Sequence, residues 1–498
     1  MTKFETVSPE GQLTKIHMHI GGEQREVGTG GTHLHLDPYT QKPQAIVPLA
    51  GEAEVNEAVE RALAVQESWR RTSPEARRDI LNRLADLIEA HRAEFVDAAR
   101  RDNGHTALAG NITVDTCVAY IRYYAGWCDK LGGELISTMD TRGELSYTVP
   151  EPIGIVGIIV TWNGPLISMG MKVIPALAAG NCVICKPAEL NAHVPELFAK
   201  VCKEAGIPDG VLSSFHGTGP AGEAIIRHKK IRKISFTGGP VTARKILTAC
   251  AEQIKPTVME LGGKSANLIF PDCDLDAAAQ LSVYGVFLFG AGQGCALPTR
   301  ALVHADIYDA FVEKVKGLMS LMKVGDPADP STIVGPVMNK DAADRIEAMF
   351  NRARHDGAAT FLVGGNRCGG ELAGLNFIEP TVIVEADPDH EISQVEIFGP
   401  ALMISKFHDE DEAIALANNS EYGLAAYIQS KDIDRINRLS ERLFSGGVYV
   451  NGGSQVNART PFGGIGISGF GKEGGRAGID EYLHYKTVTI KTSGPAGQ

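Results

Sequence analysis

A chain of 498 residues is too long for one ordinary core, and 44% hydrophobic with 22% charged residues excludes a disordered or fibrous protein. A net charge of -12 argues against holding nucleic acid through bulk electrostatics, and no apolar run approaches the ~18 residues that cross a bilayer. The opening MTKFETVSPEGQLTK reads as neither signal nor transit peptide, and nine scattered cysteines do not suggest a disulfide framework, so a reducing, cytoplasmic setting is expected.

From Glu54 to about Arg101 the spacing of Leu81, Leu84, Leu87 and Ile88 predicts helix, with Ser73 as an N-cap before Pro74. Short apolar runs follow: IGIVGIIV, CVIC, VLSSF, KISF and TVME, separated by helical stretches such as Val194 to Ala205. This alternation predicts βαβ units around a parallel sheet. Cys182 and Cys185 form a C-x-x-C within one such strand, where i and i+3 side chains point to opposite faces and cannot clamp a metal or close a disulfide. A second α/β series runs through ANLIF, RALVH, a helix from about Tyr308 to Met322, TVIV, ALMISKF and GGVYVN. Two further segments, GELSYTV and HYKTVTIKT, alternate like edge strands and are candidates for pairing with another subunit.

Several loops between these elements carry candidate chemistry. GTGPAG, Gly217 to Gly222, is a literal G-x-G-x-x-G, and KISFTGGPVTARK offers a second glycine pair between strand and helix. Position alone does not choose between them. MELGGKS puts Glu260 at a strand end, as a surface charge or a base in a cleft, and TWNGPL puts Asn163 past another, where an Asn-Gly pair is more often a turn. FGAGQGCALPTR surrounds Cys295 with glycines that admit a substrate and bare backbone N–H groups, although a free cysteine is usually just a small buried apolar residue. Neither H-E-x-x-H nor G-x-S-x-G is present, so a metal centre and a hydrolytic triad are not expected.

Taken together, PLAGEAEVNEAVERAL, EPIGIVGIIVTWNGPL, PALAAGNCVICKPAE, SFTGG, MELGGKSANLIF, GAGQGC, EIFGP and TPFGGIGISGFGKEGG resemble the aldehyde dehydrogenase superfamily from about residue 17 to residue 490. The resemblance implies two doubly wound α/β domains plus a small β oligomerisation element, in a homodimer or homotetramer. Residues 1–130 and 151–261 match the NAD-binding domain, 262–478 the catalytic domain, and 131–150 with 479–498 the oligomerisation element. It further implies Cys295 as nucleophile, Glu260 as general base and Asn163 as oxyanion donor, with Lys172 and Glu473 as a proton-relay pair. Lys186 and Glu189 match residues that hold the adenosine ribose, and Glu396 and Phe398 those that hold the nicotinamide ribose. Gly238 and Gly239 lie where the coenzyme phosphates sit, and Ile159, Trp162, Gly219, Phe236 and Leu261 complete the expected coenzyme set.

A carboxylate at Glu189 would repel a 2′-phosphate and so favours NAD, while nearby Arg244 and Lys245 leave NADP open. Glu260 points to a free carboxylic acid as product, because CoA-acylating relatives generally lack it. Gly164, Ser168, Met171 and Gly294 stand where bulkier side chains are common in the family. With Phe289 and Phe462 they form an expected wide substrate tunnel for a bulky or aromatic aldehyde, unless the loop from Ser454 to Thr460 refills it. Gly239 replaces a usual serine and Gly466 a usual lysine. Two other functions fit the same residues: a non-catalytic binding protein that keeps the fold, and a cysteine-dependent esterase without hydride transfer.

Overall fold

The computed structural model describes residues 13–137, 143–453 and 455–491. Most of the N-terminal stretch read for targeting, and Ser454 in the loop that might narrow the tunnel, therefore lie outside the described residues.

Five parallel strands form the centre of the first sheet, in the spatial order Thr257–Glu260, Ile231–Thr237, Ile155–Ile159, Cys182–Lys186 and Leu212–Ser214. Chain order begins in the middle with Ile155–Ile159, moves outward to Leu212–Ser214, and returns on the other side through Ile231–Thr237. This reversal is a topological switch point, where a crevice opens beyond the C-terminal strand ends. Every residue of Ile155–Ile159 and Cys182–Lys186 is buried, which is why these strands read as continuous apolar runs.

The second sheet runs Thr360–Val363, Thr381–Val384, Ala401–Phe407, Arg300–His304, Ala266–Ile269, Ala425–Gln429 and Gly447–Val450, parallel except at its first strand. Thr257–Glu260 ends the first sheet's last parallel strand and Ala266 opens the second sheet, so Leu261–Ser265 joins the two. Gly469–Phe470 pairs antiparallel with Thr257–Glu260, bringing the distant C-terminal part of the chain to the edge beside Glu260.

Leu483–Lys491 and Glu144–Pro152 pair antiparallel with one another over nine residues, with Leu135–Ile136 beside them. The expected helical block is three helices, Glu52–Arg71, Pro74–Ala90 and Arg92–Asn103, and Ser73 caps the second by accepting from the Ala76 N–H at 3.2 Å. Sequence reasoning missed the helix Ala107–Ala125 and the strands Met18–Ile20, Glu23–Arg25, Thr32–Leu36 and Pro43–Pro48.

Helix His193–Glu204 lacks a local cap, and the buried Asp102 carboxylate supplies one, accepting from the N–H groups of Ala192, His193 and Val194 and from His193 Nδ1. That anchoring continues into the neighbouring loop. Asn103 and Asn191 each donate from Nδ2 to the Trp162 carbonyl, at 3.1 and 3.0 Å, fixing the loop that carries Asn163.

Candidate active site

Two cavities meet at Cys295. The first, ≈ 430 Å³, opens at the switch point, between Thr161 and Trp162 after one strand and Thr237, Gly238 and Gly239 after its neighbour. Leu261, Glu396 and Phe398 close its other side. The second, ≈ 410 Å³, is lined by Gly164, Ser168, Met171, Phe289, Gly294 and Phe462, all six residues expected along a substrate tunnel. Thr161, Asn163, Thr237 and Cys295 border both cavities, and Glu260 and Glu473 border the second.

The turn that carries Cys295 is built from small residues, with Ala291 at φ 52° and Gly292 at φ +77°, and a Cβ on Gly292 would lie 2.1 Å from the Gly399 carbonyl oxygen. Asn163 Nδ2 donates to the Gln293 carbonyl at 2.9 Å, so one amide hydrogen locks the turn while the second remains for a ligand. Cys295's own carbonyl packs on Gly263, where a Cβ would come within 2.2 Å of it. Burial, reinforced by the charges of Glu260, Glu396 and Glu473, pushes the Cys295 thiol well above its ordinary range.

Glu260 is 3% exposed and accepts from the Gly464 N–H at 3.2 Å. Burial, then the neighbouring negative charge of Glu473, raises its carboxyl well above the usual carboxylate range. Lys172 pairs with Glu473 in the interior and donates to Ser235 Oγ at 3.0 Å. The segment carrying Glu473 is held by backbone bonds to Phe462, one in each direction.

On the coenzyme-expected side, Glu396 accepts from the Gly263 N–H at 2.9 Å, and burial pushes its carboxyl up to about 7. A side chain at Gly262 would collide with that carboxylate, its Cβ lying 2.3 Å from Oε2. The Trp162 and Phe398 rings meet edge to face at 5.4 Å, with Phe398 held at φ 49°. Gly239 precedes helix Pro240–Ala251 without capping it by a side chain, and Gly238 and Gly239 line the cavity at that helix start.

Ile159, Lys186, Glu189, Gly219 and Phe236 do not line the first cavity. They lie along the same strand ends: Ile159 registers with both Lys186 and Phe236, and Lys186 Nζ donates to the Gly217 carbonyl at 2.6 Å with Glu189 4.0 Å away. Gly219 begins helix Gly219–Arg227. Sequence reasoning missed Asn339, Asp341, Ala342 and Arg345 at the first cavity, and Ile112, Thr116, Tyr284, Leu288 and Leu297 at the second, whereas Gln455 and Val456, which also line the second, belong to the loop expected to narrow it. The missed residues reach the site from helices and loops distant in the chain, and no local motif marks them.

The aldehyde dehydrogenase family model matches residues 28–488. The chain belongs to the aldehyde dehydrogenase family. An aldehyde dehydrogenase of Emericella nidulans is 40% identical over 463 residues, covering 92% of each chain. Among solved structures, betaine aldehyde dehydrogenase from Staphylococcus aureus in complex with NAD+ superposes at a TM-score of 0.93 with 34% identity, covering 97% of this chain and 96% of that one. A point mutant of an aldehyde dehydrogenase from Bacillus cereus gives 0.92 with 35% identity, over 96% and 97%. The enzyme is thus an oxidoreductase acting on the aldehyde group, in a family that uses NAD(P).

Proposed function

We propose that the enzyme oxidises bulky or aromatic aldehydes to carboxylic acids, with NAD as its preferred acceptor and Cys295 as the nucleophile. The observation that carries this is the position of Cys295 at the meeting of two cavities, flanked by the Asn163 amide and the buried Glu260. Among the described residues, the second cavity's lining holds no lysine, arginine or histidine, which disfavours an anionic substrate. Gly164, Gly285 and Gly294 line it without side chains, which leaves room for a wide guest. A volume of ≈ 410 Å³ suits an aromatic or comparably bulky aldehyde.

The first cavity fits a dinucleotide: it lies at the switch point, meets an uncapped helix start at Gly239, and has Gly262 where any side chain would strike Glu396. Gly238, Gly239, Glu396, Phe398, Lys186 and Glu189 would hold it, and the Glu189 carboxylate would repel a 2′-phosphate. When bound, NAD accepts the hydride that the aldehyde carbon gives up.

The Cys295 thiol, kept neutral by burial, gives its proton to solvent water as it attacks the carbonyl carbon, forming a thiohemiacetal. The free Asn163 amide hydrogen and the Cys295 N–H donate to the oxyanion, an interaction worth about 10²–10³ in rate elsewhere. Loss of hydride leaves a thioester on Cys295. Glu260, made more basic by its surroundings, takes a proton from water as that water attacks the thioester; the carboxylic acid leaves, and the freed thiolate takes back a proton from solvent. Lys172 and Glu473 receive the proton from Glu260 and carry it away from the site. The two sheets support the division into residues 1–130 with 151–261 and 262–478. The paired strands at 144–152 and 483–491 support a dimer- or tetramer-forming element.

NADH absorbance tests the reading with NAD and NADP against short aliphatic, long aliphatic, terpenoid and aromatic aldehydes, beside Cys295→Ala. Strongest turnover with bulky aldehydes, abolished in the variant, is expected. Preference for acetaldehyde would remove the substrate class but not the nucleophile, and full activity in Cys295→Ala would overturn the mechanism.

A further inference from the structure

Tyr427 lies in the middle of strand Ala425–Gln429, registered between Asn267 and Tyr449, and is 2% exposed. Its hydroxyl donates to the Ala296 carbonyl at 2.6 Å and has Gln455 Oε1 as its second hydrogen-bond partner. Ala296 follows Cys295, and Gln455 lines the second cavity. The Tyr449 ring, 5.5 Å away at 38°, holds the phenol in place.

The turn around Cys295 has little side-chain mass with which to hold itself. On its N-terminal side Gln293 is anchored three times: its carbonyl accepts from Asn163, its Nε2 donates to Gly290, and its Oε1 accepts from the Met338 N–H. On its C-terminal side the side-chain bond to the turn comes from Tyr427. A buried carbonyl left without that partner would turn to find another, and the Cys295 Cα would turn with it.

We propose that Tyr427 is a positioning residue: its hydroxyl fixes the peptide after Cys295 and ties the thiol-bearing turn to the cavity wall at Gln455. The inference rests on Cys295 being the nucleophile. Burial holds the phenol well above its ordinary pKa, so it stays a neutral donor.

Tyr427→Phe keeps the ring and removes only the hydroxyl. Losing a buried hydrogen bond and stranding its acceptor corresponds to a fall in kcat of roughly five- to hundredfold. KM for NAD stays unchanged, because the first cavity does not touch Tyr427. The released thiol also swings out of its buried setting, so the pH profile of Cys295 alkylation by iodoacetamide in the coenzyme-free enzyme moves to lower pH. A general loss of folding would instead raise KM for NAD and lower Tm. Gln455→Ala, a change on the cavity wall, gives the same alkylation shift in smaller measure. Wild-type kcat together with a wild-type alkylation profile in Tyr427→Phe overturns the proposal. Alkylation needs neither aldehyde nor coenzyme, so inactivity of the wild type across the aldehyde panel would refute the proposed function and leave this test standing.

Discussion

Gly164→Phe places a ring at the mouth of the second cavity. The backbone accepts a side chain there: φ is -156°, and a Cβ would meet Phe289 Cζ at 3.6 Å and Ile167 at 3.9 Å, both ordinary contacts. With Phe289 and Ile167 already at that distance, everything beyond the Cβ must point into the ≈ 410 Å³ of open space. The ring then occupies the volume proposed for an aromatic substrate. Burying a phenyl-sized group is worth about 1.5–3 kcal/mol, so its exclusion lowers kcat/KM for aromatic aldehydes by roughly ten- to 150-fold. Acetaldehyde needs none of that volume and changes by less than about fivefold. Steady-state kinetics on the two substrates, with Tm as a control, reads the ratio. An equal effect on both aldehydes, or none on the aromatic one, would refute the tunnel argument while leaving the chemistry at Cys295 untouched.

Glu260→Gln keeps the shape of the side chain and removes its basicity. A burst of NADH is expected, followed by turnover slowed by about 10²–10⁴, with the acyl group visible on Cys295 by intact-protein mass spectrometry. A normal steady-state rate would remove Glu260 from the hydrolytic step. Glu396, whose carboxyl is pushed up to about 7 by burial, accepts hydrogen bonds from ribose hydroxyls with both oxygens only when ionised. NADH affinity, followed by fluorescence titration, therefore rises as the pH climbs through about 7 and then levels off, and Glu396→Gln flattens the curve. An affinity independent of pH in the wild type would place Glu396 outside the coenzyme's reach.

The proposed site was legible where one short segment holds both a strand end and a candidate reacting group, as in TWNGPL, MELGGKS and FGAGQGCALPTR, whose Asn163, Glu260 and Cys295 all border the second cavity. The residues alone did not choose between the two glycine patterns; the family resemblance favoured Gly238 and Gly239, and strand order gives that choice a physical reason. Gly217 follows Leu212–Ser214, two strands from the switch point, whereas Gly238 follows Ile231–Thr237, which borders it, and only the latter pattern lines the first cavity. The literal fingerprint was thus less informative than its place in the sheet. The N-terminal strands are short, and in Thr32–Leu36 the alternating leucines lie on the exposed side, while the helix Ala107–Ala125 begins amid glycine and β-branched residues that weaken a helical signal. Arg345, Thr116 and Tyr427 reach the site through long-range packing, which no local pattern encodes.

Because Cys295 stands where two separate chambers join, traffic through the enzyme has two doors. On the proposed mechanism, the first chamber would hold the dinucleotide and the second the acyl group on Cys295, so each could be emptied or filled apart from the other. A molecule wedged into either chamber alone halts a different half of the cycle. Compounds directed to the two doors should therefore be distinguishable by whether the stalled protein carries an acyl group.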